Sequence, residues 1–153
     1  MTTTTAHTEL ALPDDERVAL LQQWLHTLPP AWGIQVDSLA VASADASFRR
    51  YFRVKTTQSA QPSLIVMDAP PTHEDCAPFI HVAQLFGGSG VNVPKILAQD
   101  LAQGFLLLSD LGNTTYLTAL NADMSQADVL YRQALKALVQ LQTASQPNVL
   151  PDY

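Results

Sequence analysis

Six residues, Ser63-Leu64-Ile65-Val66-Met67-Asp68, form an almost unbroken apolar run that Ala69-Pro70-Pro71 stops. A strand with no polar face is covered on both sides, so this run is a central strand, and the chain must build a layered sheet around it. Two β-type runs precede it. Leu39-Ala-Val-Ala-Ser43 is one. In the other, Tyr51-Phe-Arg-Val-Lys55, Phe52 and Val54 share one face while Tyr51, Arg53 and Lys55 share the opposite one. The links between the three are short, which favours antiparallel pairing. Val93-Pro-Lys-Ile-Leu97 and Phe105-Leu-Leu-Leu108 add two strands, turned at residues 100–104.

Helices flank these strands. Pro13 sits near the first turn of one, Asp14, Asp15 and Glu16 complement its N-terminal dipole, and Val18, Leu21, Leu25 and Leu28, widened by Leu20 and Trp24, recur at helical spacing. Pro29-Pro30 ends it. Thr72-His-Glu-Asp75 reads as a capping sequence, with Thr72 as N-cap, for a helix carrying Phe79, Val82, Ala83 and Phe86 that Gly87-Gly-Ser-Gly90 closes. Beyond Gly112 the chain turns helical. Thr114 or Thr115 caps a short helix through Leu120, and Ser125 caps a longer one to about residue 143. The longer helix bears the stripe Leu130, Ala134, Leu138 and Leu141. The expected class is α+β with a five-stranded, mainly antiparallel sheet.

Composition narrows the function. A chain of 153 residues with 47% hydrophobic and 14% charged residues folds, and its length suggests one domain. A net charge of −6 argues against nucleic acid as a partner. Cys76 is alone, so the chain has neither an internal disulfide nor a cysteine-based zinc site, which fits a reducing compartment. His7, His26, His73 and His81 lack metal-ligand spacing. The threonine-rich start has no signal-peptide pattern, and no apolar run nears the ~20 residues that cross a bilayer. The expectation is a soluble cytoplasmic protein with no membrane partner.

The residues leave several local choices open. A tight loop at Ala44–Ser47 feeding a strand with Arg49 and Arg50 at its start is one way to hold a phosphate, and equally a hairpin turn made by Asp45 and Ser47. Asp110-Leu111-Gly112 reads as a strand-to-helix turn or a functional hinge. Gly87–Gly90 lacks the Gly-Lys-Ser/Thr of a phosphate loop and reads as a helix stop.

Three strings together carry a resemblance: Asp45-Ala-Ser-Phe-Arg-Arg-Tyr-Phe-Arg53; Leu64-Ile-Val-Met-Asp-Ala-Pro-Pro71 with Glu74-Asp75 and Pro78-Phe79; and Leu107-Leu-Ser-Asp-Leu-Gly112 with Thr115-Tyr116-Leu117. They resemble the aminoglycoside phosphotransferase family, which has a protein-kinase-like fold, and within it the bacterial anomeric sugar kinases of cell-wall recycling. The resemblance spans roughly residues 14–153. It implies a flexible tail at 1–12, a kinase-like N-terminal lobe at 13–109, a hinge at 110–113, and the start of an incomplete helical C-terminal lobe at 114–153. By resemblance, a complete relative uses ATP and Mg²⁺ to phosphorylate the anomeric hydroxyl of N-acetylmuramate or N-acetylglucosamine.

The same resemblance places nucleotide contacts at Asp45, Ala46 and Ser47 in the loop, at Arg49 and Arg50, and at the backbone of Ser109, Asp110 and Leu111. The adenine would lie in an apolar slot of Val66, Leu107 and Leu108. Three departures stand beside it. Ala44 replaces the glycine that relatives carry, Met67 stands about where the third strand usually offers a lysine, and no His-x-Asp-x-x-x-x-Asn occurs in the chain. Glu74 or Asp75 either caps the helix or pairs with Arg49 or Arg53. No catalytic or metal-binding residue is therefore assigned, and the isolated chain is expected to bind nucleotide without turnover. The alternative is a non-catalytic truncated or split-gene module that binds a partner lobe or homodimerises through its C-terminal helix.

Overall fold

The computed structural model describes residues 15–44, 48–146 and 148–150. Helix α1 spans Glu16–Thr27, followed by strands β1 (Ile34–Ala44), β2 (Arg50–Thr56) and β3 (Ser63–Asp68). Helix α2 (Ala77–Gly88) precedes β4 (Ile96–Asp100) and β5 (Phe105–Ser109), and α3 (Tyr116–Ala122) and α4 (Ala127–Ala144) follow. The strands form one antiparallel sheet in the order β1-β2-β3-β5-β4, with β3 at its centre.

The chain divides into two compact units. One comprises the chain up to Cys76 together with Ile96–Asp110, and holds the sheet and α1. Asp15 caps α1, its carboxylate accepting from the Val18 N–H at 2.9 Å. The stripe on α1 then buries as its spacing predicts: Val18, Leu21, Trp24 and Leu25 pack against Phe52 and Val54 of β2, Leu64 and Val66 of β3, and Phe105 and Leu107 of β5. The Trp24 and Phe105 rings lie 5.6 Å apart between centroids. On the opposite pleat of the same strands, Met67, Leu106 and Leu108 are also buried, as the unbroken run at β3 requires.

Several boundaries differ from the sequence reading, each for a local reason. β1 begins at Ile34 rather than Leu39, because register shifts carry it past the irregular Asp37-Ser38 stretch. There the Ser38 hydroxyl accepts from the Lys55 N–H at 2.8 Å and donates to the Gln35 carbonyl at 2.6 Å, replacing ladder bonds. β4 starts at Ile96, not Val93, since Pro94 has no N–H to give a ladder. Thr72 does not cap α2, which begins five residues later at Ala77. Residues 71–75 instead close a turn in which the His73 and Glu74 N–H groups both donate to the Pro70 carbonyl at 2.9 Å.

The second unit comprises Ala77–Lys95 and the chain from Leu111. It groups α2 with the C-terminal helices, whereas the sequence reading groups α2 with the sheet. Local contacts within the unit accompany this grouping: His81 Nε2 lies 2.6 Å from the Val149 carbonyl oxygen, and Gly90 adjoins the Gln140 side chain. Thr115 caps α3 by accepting from the Thr118 N–H at 3.1 Å. Before α4, Asp123 rather than Ser125 is the capping side chain, accepting from both the Ser125 N–H at 3.0 Å and its hydroxyl at 2.7 Å. On α4, Leu130 and Leu141 are half-buried, while Ala134, Leu135, Leu138 and Val139 are exposed.

Candidate functional site

The charged side chains of the sheet unit meet at the strand ends. Arg50 opens β2 and is paired in register with Asp68, the last residue of β3, so both side chains stand on the α1 face. Asp68 is fully buried. Its Oδ2 accepts from Arg50 Nε at 3.0 Å and Nη2 at 2.6 Å, and its Oδ1 accepts from Arg17 Nε at 3.0 Å and from Arg17 Nη2. Arg17 also donates to the Gln103 carbonyl at 2.6 Å, with its guanidinium 4.8 Å from the Phe105 ring centroid. The remaining edge of Arg50 reaches the α1 cap, Asp15. That bond holds the Asp15 carboxyl below the usual carboxylate range and, with Asp68, raises Arg50 further above its ordinary value.

The opposite face carries a second cluster. Arg53 grips Asp110 with a bidentate fork, Nε to Oδ2 at 2.6 Å and Nη2 to Oδ1 at 3.1 Å, and the Ser63 hydroxyl donates to the same Oδ2 at 2.6 Å. Ser109 is the last residue of β5 to pair with β3, opposite Leu64, so Asp110 lies one step beyond the ladder. The clasp therefore ties the first unladdered residue after β5 to β2 and β3.

A third group gathers around Phe48 and Arg49, just before β2. Arg49 Nε donates to Glu74 Oε2 at 2.9 Å, and the Phe48 ring stacks on His73 at 4.4 Å between centroids. Of the two uses the sequence leaves open for Glu74, the structure takes the pair with Arg49. Cys76, two residues further on, is buried, and burial pushes its thiol up.

Against the sequence-predicted site, Asp45, Ala46 and Ser47 lie outside the described residues. Arg49 and Arg50 stand beside them, but their guanidiniums bind Glu74, and Asp68 with Asp15. Ser109 and Asp110 sit together at the end of β5, and Leu111 is exposed. Val66 pairs with Phe52 and Leu107, and all three are sealed under α1. Val66 and Leu107 thus stand on the α1 face of the sheet. The pleat assigns the opposite face to Ile65, Met67, Leu106 and Leu108, so of the expected slot only Leu108 lies on the face of the Asp110 clasp.

Arg17, Ser63 and Asp68 are not among the site residues that the sequence suggests. A signal for two of them exists. Arg17 lies on the apolar stripe of α1, four residues before Leu21, and Asp68 ends an apolar central strand. Opposite charges set in two apolar patterns imply a buried partner for each. Among the described residues no group of three or more His, Cys, Asp or Glu could hold a metal, so metal coordination is not assigned here. Nor is any described helix long and apolar enough to cross a membrane.

The N-acetylmuramate/N-acetylglucosamine kinase of Pseudomonas aeruginosa is 50% identical over 149 residues, which cover 93% of this chain and 43% of that protein. The kinase of the same name from Pseudomonas putida is 49% identical over 124 residues, covering 80% of this chain and 35% of the relative. The one from Neisseria meningitidis is 43% identical over 140 residues, covering 90% and 40%. The chain thus spans less than half the length of the curated relatives it matches. The phosphotransferase enzyme family (APH) matches residues 38–153, from within β1 through the sheet and all the C-terminal helices. With that match over most of the chain, and a five-stranded antiparallel sheet with helices consistent with that family's kinase-like small lobe, the chain belongs to the phosphotransferase enzyme family.

Proposed function

We propose that this chain supplies the nucleotide-binding part of an ATP-dependent sugar kinase that phosphorylates the anomeric hydroxyl of N-acetylmuramate or N-acetylglucosamine in cytoplasmic cell-wall recycling. The observation that carries this reading is the 50% identity across 93% of the chain to a kinase named for those two sugars. In the reading, the loop at 45–47 covers the nucleotide phosphates with its backbone N–H groups, and the backbone of Ser109, Asp110 and Leu111 meets the adenine edge. Met67, Leu106 and Leu108, not Val66, belong to the face turned toward the base. Arg49 and Arg50 shape the loop's landing on β2 through their carboxylate partners. Lacking His-x-Asp-x-x-x-x-Asn, the chain by itself binds nucleotide and turns nothing over.

The test incubates the pure 153-residue protein with ATP, Mg²⁺ and N-acetylmuramate and measures sugar 1-phosphate, with equilibrium dialysis against ADP in parallel. Binding of ADP without product is expected. Clear turnover would overturn the division of labour, and absence of ADP binding at millimolar concentration would overturn the nucleotide reading.

A second reading, a non-catalytic module that docks a partner lobe or a second copy, is favoured by one observation. Leu135, Leu138 and Val139 of α4 are all exposed. Sedimentation giving a monomer at high concentration, unaltered by a separately made large lobe, would exclude it.

A further inference from the structure

We infer that Arg53 is a positioning residue for nucleotide recognition: its fork on Asp110, shared by Ser63, pre-orders the backbone at Ser109–Asp110 for the edge of a purine base. The inference deepens, and rests on, the nucleotide reading above. Sheet pairing fixes the chain only through Ser109, opposite Leu64, and Asp110 follows the last ladder position. A residue past the end of a ladder samples several backbone states unless something else holds it. Three side-chain bonds hold this one, at 2.6, 3.1 and 2.6 Å, from two strands 57 and 47 residues away in sequence.

The chemistry of the clasp suits positioning rather than direct ligand contact. The Asp110 side chain is 7% exposed, and both its oxygens face Arg53 or Ser63, so the carboxylate is turned inward to the sheet. What a ligand can meet at this point is main chain. Arg53 itself lies mid-strand on the pleat of Tyr51 and Lys55, where an arginine is the one side chain that spans to β5 with a planar, two-point grip. A lysine would supply the charge and a single moving contact. Pre-ordering of this kind improves affinity by removing the ordering penalty at the moment of binding.

The probes are ADP, adenosine and pyrophosphate, dialysed against the full chain. Arg53→Gln should weaken ADP and adenosine about tenfold, the loss for one backbone residue that must be ordered on binding. Pyrophosphate binding should be unchanged, and Arg53→Lys should recover part of the loss. A purely structural role would instead lower all three ligands together, in proportion to the folded fraction read from a urea curve. Equal ADP and adenosine affinity in folded Arg53→Gln and wild type overturns the inference alone. If the wild type binds no ADP, the nucleotide reading falls and the inference with it. Should Arg53→Gln not fold, Ser63→Ala keeps the ion pair and removes one bond. A loss of about threefold for ADP, with pyrophosphate unchanged, then supports the inference, and unaltered ADP affinity overturns it.

Discussion

Asp68→Asn is the substitution that most directly tests how the sheet unit is held. It is nearly isosteric, so packing is unchanged, and it removes one charge from a fully buried carboxylate that accepts four guanidinium N–H bonds. The amide group it introduces points N–H at one of the two arginines, donor against donor. Adding the four bonds at about 1.5–3 kcal/mol each for charged partners overshoots, because forming them also removes charges from water. The better measure is the loss on breaking a buried pair, about 3–5 kcal/mol. Arg17 and Arg50 keep 27% and 29% of their side-chain surface in water, so each can be partly rehydrated, which points to the low end, about 3 kcal/mol.

For a chain of this size that loss lowers Tm by about 6–12 °C. In urea the midpoint falls by about 1.5 M if m is about 2 kcal/mol/M. Fluorescence is a suitable signal, since Trp24 is buried against Phe105 in this unit and Trp32 packs at its border. A midpoint shift with m unchanged would assign the loss to the native state. A companion triple variant, Asp68→Leu with Arg17→Met and Arg50→Met, should come within about 1 kcal/mol of wild type or exceed it, because no unpaired charge is left behind. A stability of Asp68→Asn within about 0.5 kcal/mol of wild type would refute the reasoning, as that is the range of ordinary surface changes.

Two further expectations follow from single positions. Gly104→Ala places a Cβ 1.9 Å from the Ala69 carbonyl oxygen at a φ of +74°, so it should cost about 3 kcal/mol or more. Gly112→Ala, at φ +91° with open space around it, should cost only the backbone strain of about 1–2 kcal/mol; equal urea midpoints for the two would contradict this. Asp15 has its carboxyl lowered first by Arg50, so its ion-pair stabilisation is present above the unfolded value near 3.9 and lost as pH falls through the lower folded value. The Tm gap between wild type and Asp15→Asn, which retains a capping side chain, should therefore close between about pH 5 and pH 2, and a gap constant over that range would argue against the pair.

What was legible in the sequence was what a one-dimensional pattern encodes. The central place of β3 follows from its unbroken apolar run, the buried face of α1 from its stripe, and the alternation of Phe52 and Val54 against Tyr51 and Arg53 from strand parity. Register is different, because it depends on which residues of separate strands meet. Val66 is an example: its pairing with Phe52 is what puts it under α1. The α2 boundary was lost to competition. Thr72–Asp75 has the composition of a cap, but Pro70 and Pro71 favour a turn, and Glu74 is taken by Arg49, more than twenty residues earlier in the chain. The Arg53–Asp110–Ser63 clasp joins three strands and has no local signature.

The cluster of arginines at the start of β2 takes on a different meaning once their partners are known. Arg49, Arg50 and Arg53 lie within five positions of each other beside a loop proposed to cover phosphates, and as a sequence they suggest a basic pocket. In the fold each is met by acid: Glu74 for Arg49, Asp68 and Asp15 for Arg50, Asp110 for Arg53, with Arg17 added on Asp68. Four arginines face four carboxylates, and the local formal charge cancels. A phosphate at the proposed site would therefore meet guanidiniums already engaged by carboxylates. The arginines of β2 tie two faces of one sheet from positions of opposite parity, Arg50 on the α1 face and Arg53 on the other. That division gives a structural use to both arginines of β2, two of the chain's eight lysine and arginine side chains.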